Sequence, residues 1–224
     1  MAVIEPRING MLFTVFRAKM LSYKVGACDY STGYLLPPAS MIPVKLAQTV
    51  GLRSITLTFD FEGDTPREIA MNISKVTALM QEMPDIILPD GFCYYCVYEK
   101  QSTPEEKAPW IHKVQYTLSG FRHEPLETVT LTQTGTVNVG GNYKTPAVLS
   151  ITSTENTVKV LGITIQNAAG VVVIDGLKKT VTKDGVNKFA DTNLTSFPML
   201  QPGKNTVEIE GASKVEVSFY PIFL

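Results

Sequence analysis

The fold is decided by one stretch in the first half of the chain, which reads Arg53-Ser-Ile-Thr-Leu-Thr-Phe-Asp-Phe-Glu-Gly-Asp-Thr-Pro-Arg-Glu68. Apolar and polar residues alternate in its first part, which is the period of a β-strand with one buried face. The apolar positions of this strand are Ile55, Leu57, Phe59 and Phe61. Glu62-Gly63-Asp64 ends the strand, so we expect it to span residues 53–61.

A helix is predicted directly after this strand. Thr65 is a suitable N-cap, Pro66 takes the first helical position and Glu68 the third, so a capping box is expected. Pro84 ends the helix. Because so short a helix is marginal alone, its apolar stripe must dock on a sheet. The stripe consists of Ile69, Ile73, Val76 and Met80.

Further strands complete a first domain that combines antiparallel strands with this one helix. Ile86–Leu88 leads into an Asp90-Gly91 turn, and Phe92–Glu99 is rich in Tyr, Cys and Val. Trp110–Phe121 alternates again and predicts another strand. The polar segment Ser102–Ala108, which contains Pro104, is interpreted as a loop.

Three prolines mark an irregular loop between strands earlier in the chain, at Pro37, Pro38 and Pro43. The loop carries apolar residues that we predict to be exposed, namely Leu35, Leu36 and Ile42. Together with the β segments of the first domain, this loop is a candidate edge for self-association.

The chain changes character around Phe121–Glu127, beyond which no helical pattern is found. We place the boundary after Pro125, which gives a first domain of residues 1–125 and a second of residues 126–224. Short strands with hairpin turns at Asp175-Gly176 and Asp184-Gly185 predict a β-sandwich. The predicted strands include Val171–Ile174, Lys178–Thr182, Thr206–Glu210 and the alternating Val215, Val217 and Phe219.

Composition excludes several classes of function. The 224 residues are 44% hydrophobic and 18% charged, with a net charge of −1 and a pI of about 6.1. Nucleic-acid binding requires a basic surface, and anchoring on acidic lipid requires one too, so neither is expected. No segment is apolar enough to predict a membrane span or a signal peptide. Three cysteines, an odd number, fit synthesis in a cytosol.

Residues that could carry catalysis are few. His112 and His123 are the two histidines, and no nucleophile motif accompanies them, so we interpret both as ordinary surface or domain-boundary residues. Cys93 and Cys96 have the spacing of a redox or zinc motif, but no second ligand pair follows. On a strand, residues three apart face opposite sides, so their thiols should diverge.

Other motifs also predict no chemistry. Gly140-Gly141-Asn142 is a turn and not a phosphate-binding loop. Glu105-Glu106 is interpreted as part of a solvated loop without an acid–base role. The sequence therefore predicts no catalytic, cofactor-binding or metal-binding residues, and no enzyme activity; a cryptic enzyme is the least favoured alternative.

Carbohydrate binding is the main alternative function, since lectin-like sandwiches stack an aromatic ring on the sugar. The single Trp of the chain, Trp110, lies in the first domain. The second domain offers smaller aromatic residues, for which packing is the favoured role. They are Tyr143, Phe189, Phe197, Phe219 and Tyr220.

Taken in order, several fragments resemble the distal tail proteins of long-tailed bacteriophages. The turn Pro202-Gly-Lys-Asn-Thr206 before the final β run is the most specific piece of the second half. The fragments are residues 53–68, the helix over 69–80, Ile86-Ile-Leu-Pro-Asp-Gly-Phe92, residues 110–125, Val173-Ile-Asp-Gly176 and residues 197–206. The resemblance implies a mainly β fold, with an N-terminal α+β belt domain (an antiparallel β-sandwich with one helix) and a C-terminal galectin-like β-sandwich.

The same resemblance implies a structural function at the virion tail tip or baseplate. Distal tail proteins form a hexameric ring that joins the tail tube to the tail hub and can carry receptor-binding proteins. DNA passes through the ring without specific binding, which the near-neutral charge suits. The family implies no cofactor and no catalytic residue. We therefore expect a virion protein, made in the bacterial cytoplasm, of a phage or a phage-derived particle.

Overall fold

A computed structural model describes residues 4–38 and 41–224 of the protein. Ala39 and Ser40, which fall in the predicted proline-rich loop, lie outside the described residues. The chain divides into one unit that runs to Arg122 and includes Leu224, and a second unit, His123–Phe223. Within the described ranges, no helix has both the length and the apolar character that crossing a bilayer requires.

The first unit is built on one antiparallel sheet with the order β2-β1-β5-β6-β8-β4-β3, and β7 pairs with β8. A 3-10 helix, Phe13–Phe16, and the α-helix α1, Pro66–Gln81, accompany the sheet. The strands are β1 (Arg7–Ile8), β2 (Met11–Leu12), β3 (Ala18–Leu35), β4 (Val44–Glu62), β5 (Asp85–Ile87), β6 (Cys93–Gln101), β7 (Glu105–Ala108) and β8 (Ile111–His123).

The predicted strand over residues 53–61 is confirmed as the second part of β4. Its four alternating apolar side chains are all buried, and β4 lies between β3 and β8 in this part of the sheet. The predicted stripe on α1 is buried as well and belongs to the same core cluster. Burial of these two sets against each other holds the helix on the sheet.

The start of α1 differs from the predicted capping box in one bond. Thr65 is the N-cap, and its Oγ1 accepts from the Glu68 backbone N–H at 3.2 Å as predicted. The Glu68 carboxylate, however, accepts from the backbone N–H of Asp64 at 2.8 Å. The reciprocal bond is therefore displaced by one residue, and the other carboxylate oxygen of Glu68 accepts from the guanidinium of Arg17 at 2.8 Å.

Two sequence-based expectations for the first unit are wrong. Residues 102–108 are not a loop throughout, because Glu105–Ala108 forms β7 and pairs with the start of β8. The strand expected over residues 53–61 also begins earlier than predicted, since β4 runs from Val44 to Glu62. The loop between β3 and β4, predicted from the prolines, is present on both sides of the undescribed residues.

The second unit contains a six-stranded antiparallel sheet in the order β17-β16-β15-β12-β21-β9, together with shorter ladders β14-β13-β20, β10-β19 and β11-β18. The strands are β9 (Glu127–Leu131), β10 (Gly135–Val139), β11 (Thr145–Pro146), β12 (Val148–Ser153), β13 (Thr157–Val160), β14 (Ile163–Gln166), β15 (Gly170–Asp175), β16 (Thr180–Lys183), β17 (Val186–Asn187), β18 (Met199–Leu200), β19 (Gly203–Val207), β20 (Ile209–Glu210), β21 (Lys214–Phe219) and β22 (Ile222–Phe223). A 3-10 helix, Phe189–Asp191, follows β17.

One core fills the second unit, with buried side chains from the six-stranded sheet and from the shorter ladders. Val215, Val217 and Phe219 are fully buried on β21, as their alternation predicted. This layered, helix-poor architecture is consistent with a β-sandwich. The mainly β fold class is confirmed, and the galectin-like detail stays a prediction.

The two hairpin turns of the second unit are confirmed. Asp184 and Gly185 have φ values of 50° and 76°, as a two-residue turn with both central residues in the left-handed region requires. Asp175 Oδ1 accepts from the backbone N–H groups of Leu177 and Lys178 at 2.9 Å, so the turn occupies part of the strand predicted over 178–182. The strand predicted over 206–210 is interrupted between β19 and β20.

Candidate assembly surface

The longest projection of the first unit is a two-stranded arm, which we define as residues 29–52. The last residue of β4 that pairs with β8 is Arg53, opposite Gly120. Among the described residues, the part of β4 before Arg53 pairs with β3 alone. The arm therefore extends beyond the body of the sheet as a hairpin with two exposed faces.

Apolar side chains cover this arm although little of it is buried. The most exposed is Met41, at 94%, followed by Ile42 at 76%. The other exposed large apolar residues of the arm are Tyr30, Tyr34, Leu35, Leu36, Val44, Leu46 and Leu52. Its only charged residues are Asp29 and Lys45. A contiguous exposed apolar surface of this kind marks an interaction site.

Hydrogen bonding at the base of the arm fixes where it leaves the sheet. The Arg53 guanidinium donates to the Gly26 carbonyl oxygen at 3.1 Å. Beyond this point the β3–β4 register shifts between Val25 and Cys28, between Cys28 and Tyr30, and again near Gly33. Such irregularities increase the local twist of a hairpin. The arm is thus anchored firmly at its base and twisted along its length.

A groove of about 480 Å³ lies elsewhere on the same unit, beside β3 at the edge of the sheet. One wall consists of Ala18–Tyr23 of β3, and the other includes Leu12 and Phe13. Its lining is largely apolar, with Glu5 and Lys19 as the charged members. The first unit therefore carries both an apolar projection and an apolar recess next to an open strand edge.

The two histidines occupy different environments. His123 is buried, its Nδ1 lies 2.8 Å from the Glu124 carbonyl oxygen, and its ring centroid is 4.8 Å from that of Tyr220. His112 lies on β8 opposite Phe61 of β4 and Glu106 of β7. Local packing accounts for His123, which is buried and not on the surface, and strand pairing accounts for the position of His112.

The cysteine pair lies in the buried part of the first unit. Cys28, Cys93 and Cys96 are all reduced thiols. Cys96 is part of the apolar core, and burial raises the pKa of its thiol to about 12, chiefly through desolvation. A thiol that stays protonated at neutral pH is a poor nucleophile and metal ligand. Residues 4–38 and 41–224 contain no cluster of three or more His, Cys, Asp or Glu side chains placed to hold a metal ion.

The remaining motifs are structural in the described chain. Gly141 has a φ of 84° and forms a β-bridge with Ile222, next to a bend at Asn142. Glu105 on β7 forms an ion pair with Lys113 at 3.0 Å. Among the aromatic residues of the second unit, Phe219 is buried in the core and Phe197 is packed against it. Phe189 is 45% exposed, its ring 6.2 Å from that of Phe197.

Sequence reasoning identified the loop of this surface but not its extent. It predicted that Leu35, Leu36 and Ile42 are exposed, which the structure confirms at 53–76%. The strands of the arm were missed because neither of their faces is buried, so no regular alternation marks them. A usable signal was the run of apolar residues on both sides of the prolines, with only one lysine between Met41 and Leu52.

Comparison with known proteins defines the class to which this architecture corresponds. Residues 140–223 match the sequence family described as siphovirus-type tail component, C-terminal domain. This match covers most of the second unit and less than half of the chain. No curated protein sequence matches the chain. The C-terminal part of the chain is therefore similar to a phage tail component.

Solved structures extend the similarity to the whole chain. The SPP1 Dit protein, described as a paradigm of the hub adsorption apparatus in phages that infect Gram-positive bacteria, matches with a TM-score of 0.70. The two sequences are 14% identical, and the match covers 98% of this chain and 99% of that one. A chain of the phage P2 baseplate in its activated conformation with Ca matches with a TM-score of 0.62 at 11% identity, covering 94% and 92%. The fold is that of a phage distal tail protein, which confirms the resemblance seen in the sequence.

Proposed function

We propose that this chain is a structural subunit of the distal tail ring of a phage or phage-derived particle, in which six copies surround a central channel. The exposed apolar arm carries the proposal, because an isolated two-stranded hairpin with apolar residues on its surface is stable only when another surface covers it. The match of residues 140–223 to a tail component and the distal-tail fold of the whole chain support this assignment.

The ring closes through contacts between unlike surfaces of neighbouring copies. In a cyclic assembly of this type each subunit offers a projection on one side and a receiving surface on the other. The arm supplies the projection, and the groove beside β3 is a receiving surface of matching apolar character. Lys45 on the arm and Glu5 in the groove provide one pair of opposite charges that could favour a single docking direction.

The ring joins the tail tube to the hub, and its outer parts carry receptor-binding proteins. DNA passes through the channel without specific binding, since a net charge of −1 gives no general attraction for phosphates. The protein acts in the virion, at the tail tip or baseplate, after synthesis in the cytoplasm of the bacterial host. In this proposal the first unit forms the ring and the second projects as an attachment domain.

Assembly of the purified chain tests the proposal directly. We expect negative-stain images and sedimentation to show rings of six copies, either with the chain alone or after addition of the tail tube or hub protein. Leu36→Asp and Ile42→Asp should abolish these rings without lowering the melting temperature, because both side chains are exposed in the unassembled chain.

A control variant distinguishes loss of the arm contact from a general effect of added charge. Leu177 is also exposed, at 42%, but lies in a turn of the second unit, so Leu177→Asp should leave ring formation intact. Rings that survive both arm substitutions would contradict the proposed role of the arm. A chain that stays monomeric with tube and hub proteins present would contradict the ring itself.

A further inference from the structure

The single tryptophan of the chain lies on the surface of the first unit and not in its core. Trp110 occupies the turn between β7 and β8 and is 58% exposed. Its carbonyl oxygen accepts from the Gly63 backbone N–H at 3.2 Å, which fixes the turn against the β4–α1 connection. An exposed indole on a fixed backbone offers a flat apolar face to a binding partner, with an N–H donor at its edge.

Polar groups surround this indole on one side. Arg17, Glu62, Gly63, Asp64 and Trp110 together line a cavity of about 320 Å³, which is near the lower end of the range of roughly 300–1,000 Å³ for small-ligand sites. Three connections meet here: the end of the 3-10 helix, the β4–α1 turn and the β7–β8 turn. The Glu62 N–H donates to the Arg17 carbonyl oxygen at 2.9 Å and holds two of them together.

Two residues that line the cavity, Gly63 and Arg17, are held in position by the protein itself. A Cβ on Gly63 would come within 2.7 Å of Ile69 Cγ1, so the chain approaches the helix at a distance that only glycine permits. The Arg17 guanidinium is held by Glu68 at 2.8 Å and by Asp64 at 3.2 Å. Its position is therefore fixed before any ligand arrives, which lowers the entropic cost of binding.

Hydrogen-bonding capacity remains open at the rim. In the part of the chain that the structure describes, neither the Glu62 carboxylate nor the Trp110 indole N–H makes a hydrogen bond or ion pair. Asp64 is 82% exposed and presents its carboxylate to solvent. The site thus combines an apolar ring face, the Glu62 carboxylate as an acceptor and an indole N–H donor within one small cavity.

We propose that this cavity binds a single pyranose ring of a neutral saccharide, with the sugar stacked on the face of Trp110 and its hydroxyl groups bound by the Glu62 carboxylate. A pyranose has an apolar face of C–H groups and a polar rim of hydroxyls. This division matches the cavity, which has the apolar indole face and a carboxylate beside it. Carboxylates accept strong charge-assisted hydrogen bonds from hydroxyl groups. This proposed sugar site does not rest on the proposal that the chain assembles into a ring.

A protein partner suits this site less well. Tryptophan hot spots in protein interfaces lie in apolar, desolvated centres. Here the indole lies beside the exposed Glu62 carboxylate, whose burial against a protein would require a matching cation. The arm offers the apolar surface that a protein contact needs, whereas the hydroxyls of a sugar can replace water around Glu62 and Asp64 directly.

Trp110 makes the test direct, because it is the only tryptophan and its fluorescence reports on this cavity alone. The full chain is titrated with glucose, galactose, N-acetylglucosamine and their disaccharides at millimolar concentrations. We expect one or more of these sugars to shift the emission to shorter wavelength, saturably, and to protect the indole from acrylamide quenching. If none of them changes the emission or the quenching, the proposal is overturned.

Variants identify the site by calorimetry with the sugar that binds. We expect Trp110→Ala to weaken binding about tenfold or more, and Glu62→Gln about fivefold, with the circular dichroism spectrum unchanged. Phe189→Ala removes another exposed aromatic ring, which belongs to the second unit and is 45% exposed, and should leave affinity unchanged. Sugar binding that survives Trp110→Ala, or that is lost with Phe189→Ala instead, overturns the assignment. The assignment is also overturned if the indole becomes protected only when rings form and no sugar protects it.

Discussion

The Glu68 carboxylate lies 2.8 Å from the Arg17 guanidinium, which joins the first turn of α1 to the residue that precedes β3. The hydrogen bonds and the charge of Asp64 and Glu68 raise the pKa of Arg17, so the guanidinium side of this contact stays charged at alkaline pH. Glu68 also accepts from the Asp64 N–H, and Thr65 accepts from the Glu68 N–H. Four residues that are close in space therefore set the start of the only α-helix in the described chain.

Loss of the helix cap should destabilise the first unit. Thr65→Ala removes the side-chain acceptor for the Glu68 N–H, so we expect the free energy of unfolding to fall by about 1 kcal/mol. Denaturant unfolding followed by circular dichroism measures this loss. Thr49→Ala, at an exposed threonine of the arm, should change stability much less, and equal losses in the two variants would contradict the capping role.

A glycine of the second unit should be intolerant of a side chain for two separable reasons. Gly141 has a φ of 84°, and a Cβ there would lie 2.3 Å from the Ile222 carbonyl oxygen. Gly162 has a φ of 75° but no atom within 4 Å of the same position. Gly162→Ala should therefore cost about 1 kcal/mol for backbone strain alone, while Gly141→Ala should cost clearly more. Thermal unfolding of both variants measures the difference, and equal melting temperatures would show that the chain at Ile222 moves aside freely.

The fold could be predicted from the sequence wherever burial imposes a pattern. Phe59 and Phe61 alternate with polar residues because one face of β4 is covered there, and the cap at Thr65 follows from local hydrogen bonding. β7 escaped prediction because its residues are polar and the strand is held by backbone pairing with β8. Pairing of this kind leaves no trace in hydrophobic periodicity.

The candidate sites were predictable only in part, for a related reason. The exposure of Ile42 followed from its place between prolines, but the length of the arm depends on where β8 stops pairing with β4, which is a long-range contact. The cavity at Trp110 is assembled from three connections that are far apart in sequence, including Arg17 and Glu62. No motif spacing could reveal a site whose members are brought together by the sheet.

Alkaline pH should destabilise the first unit through buried acids that must stay protonated. Burial raises the pKa of the Cys96 thiol from 9.0 to about 12 and that of the Tyr116 hydroxyl from 10.0 to about 12. The unfolded chain ionises these groups at lower pH than the folded chain does. Their contribution to stability is therefore complete below pH 9 and is lost progressively between pH 9 and pH 12.

Melting temperatures recorded from pH 8 to pH 11 with a reducing agent present check this expectation. Cys96→Ala removes one of the ionising groups, so its melting temperature should start lower, because the substitution leaves a cavity, and then fall less steeply with pH. Tyr95→Phe is a matched control, since Tyr95 is on the same strand but 39% exposed. A steeper fall in the Cys96 variant than in the control would contradict the assignment.

Protease digestion should show whether the arm is covered in the assembled tail. The Lys45–Leu46 bond lies in the part of β4 that pairs only with β3, and both side chains are exposed, so local opening of the arm costs little. Trypsin should therefore cut the unassembled chain first at this bond, ahead of the bond after Arg53, which lies where β4 is paired on both sides. When a neighbouring copy covers the arm, opening requires loss of that contact as well, so cleavage after Lys45 should slow at least about tenfold.

Mass spectrometry of timed digests identifies the bond, and Lys178, which is exposed in a turn of the second unit, provides an internal reference. Equal cleavage after Lys45 in free chains and in rings would mean that the arm stays open after assembly, and the apolar surface it carries would then need a different occupant.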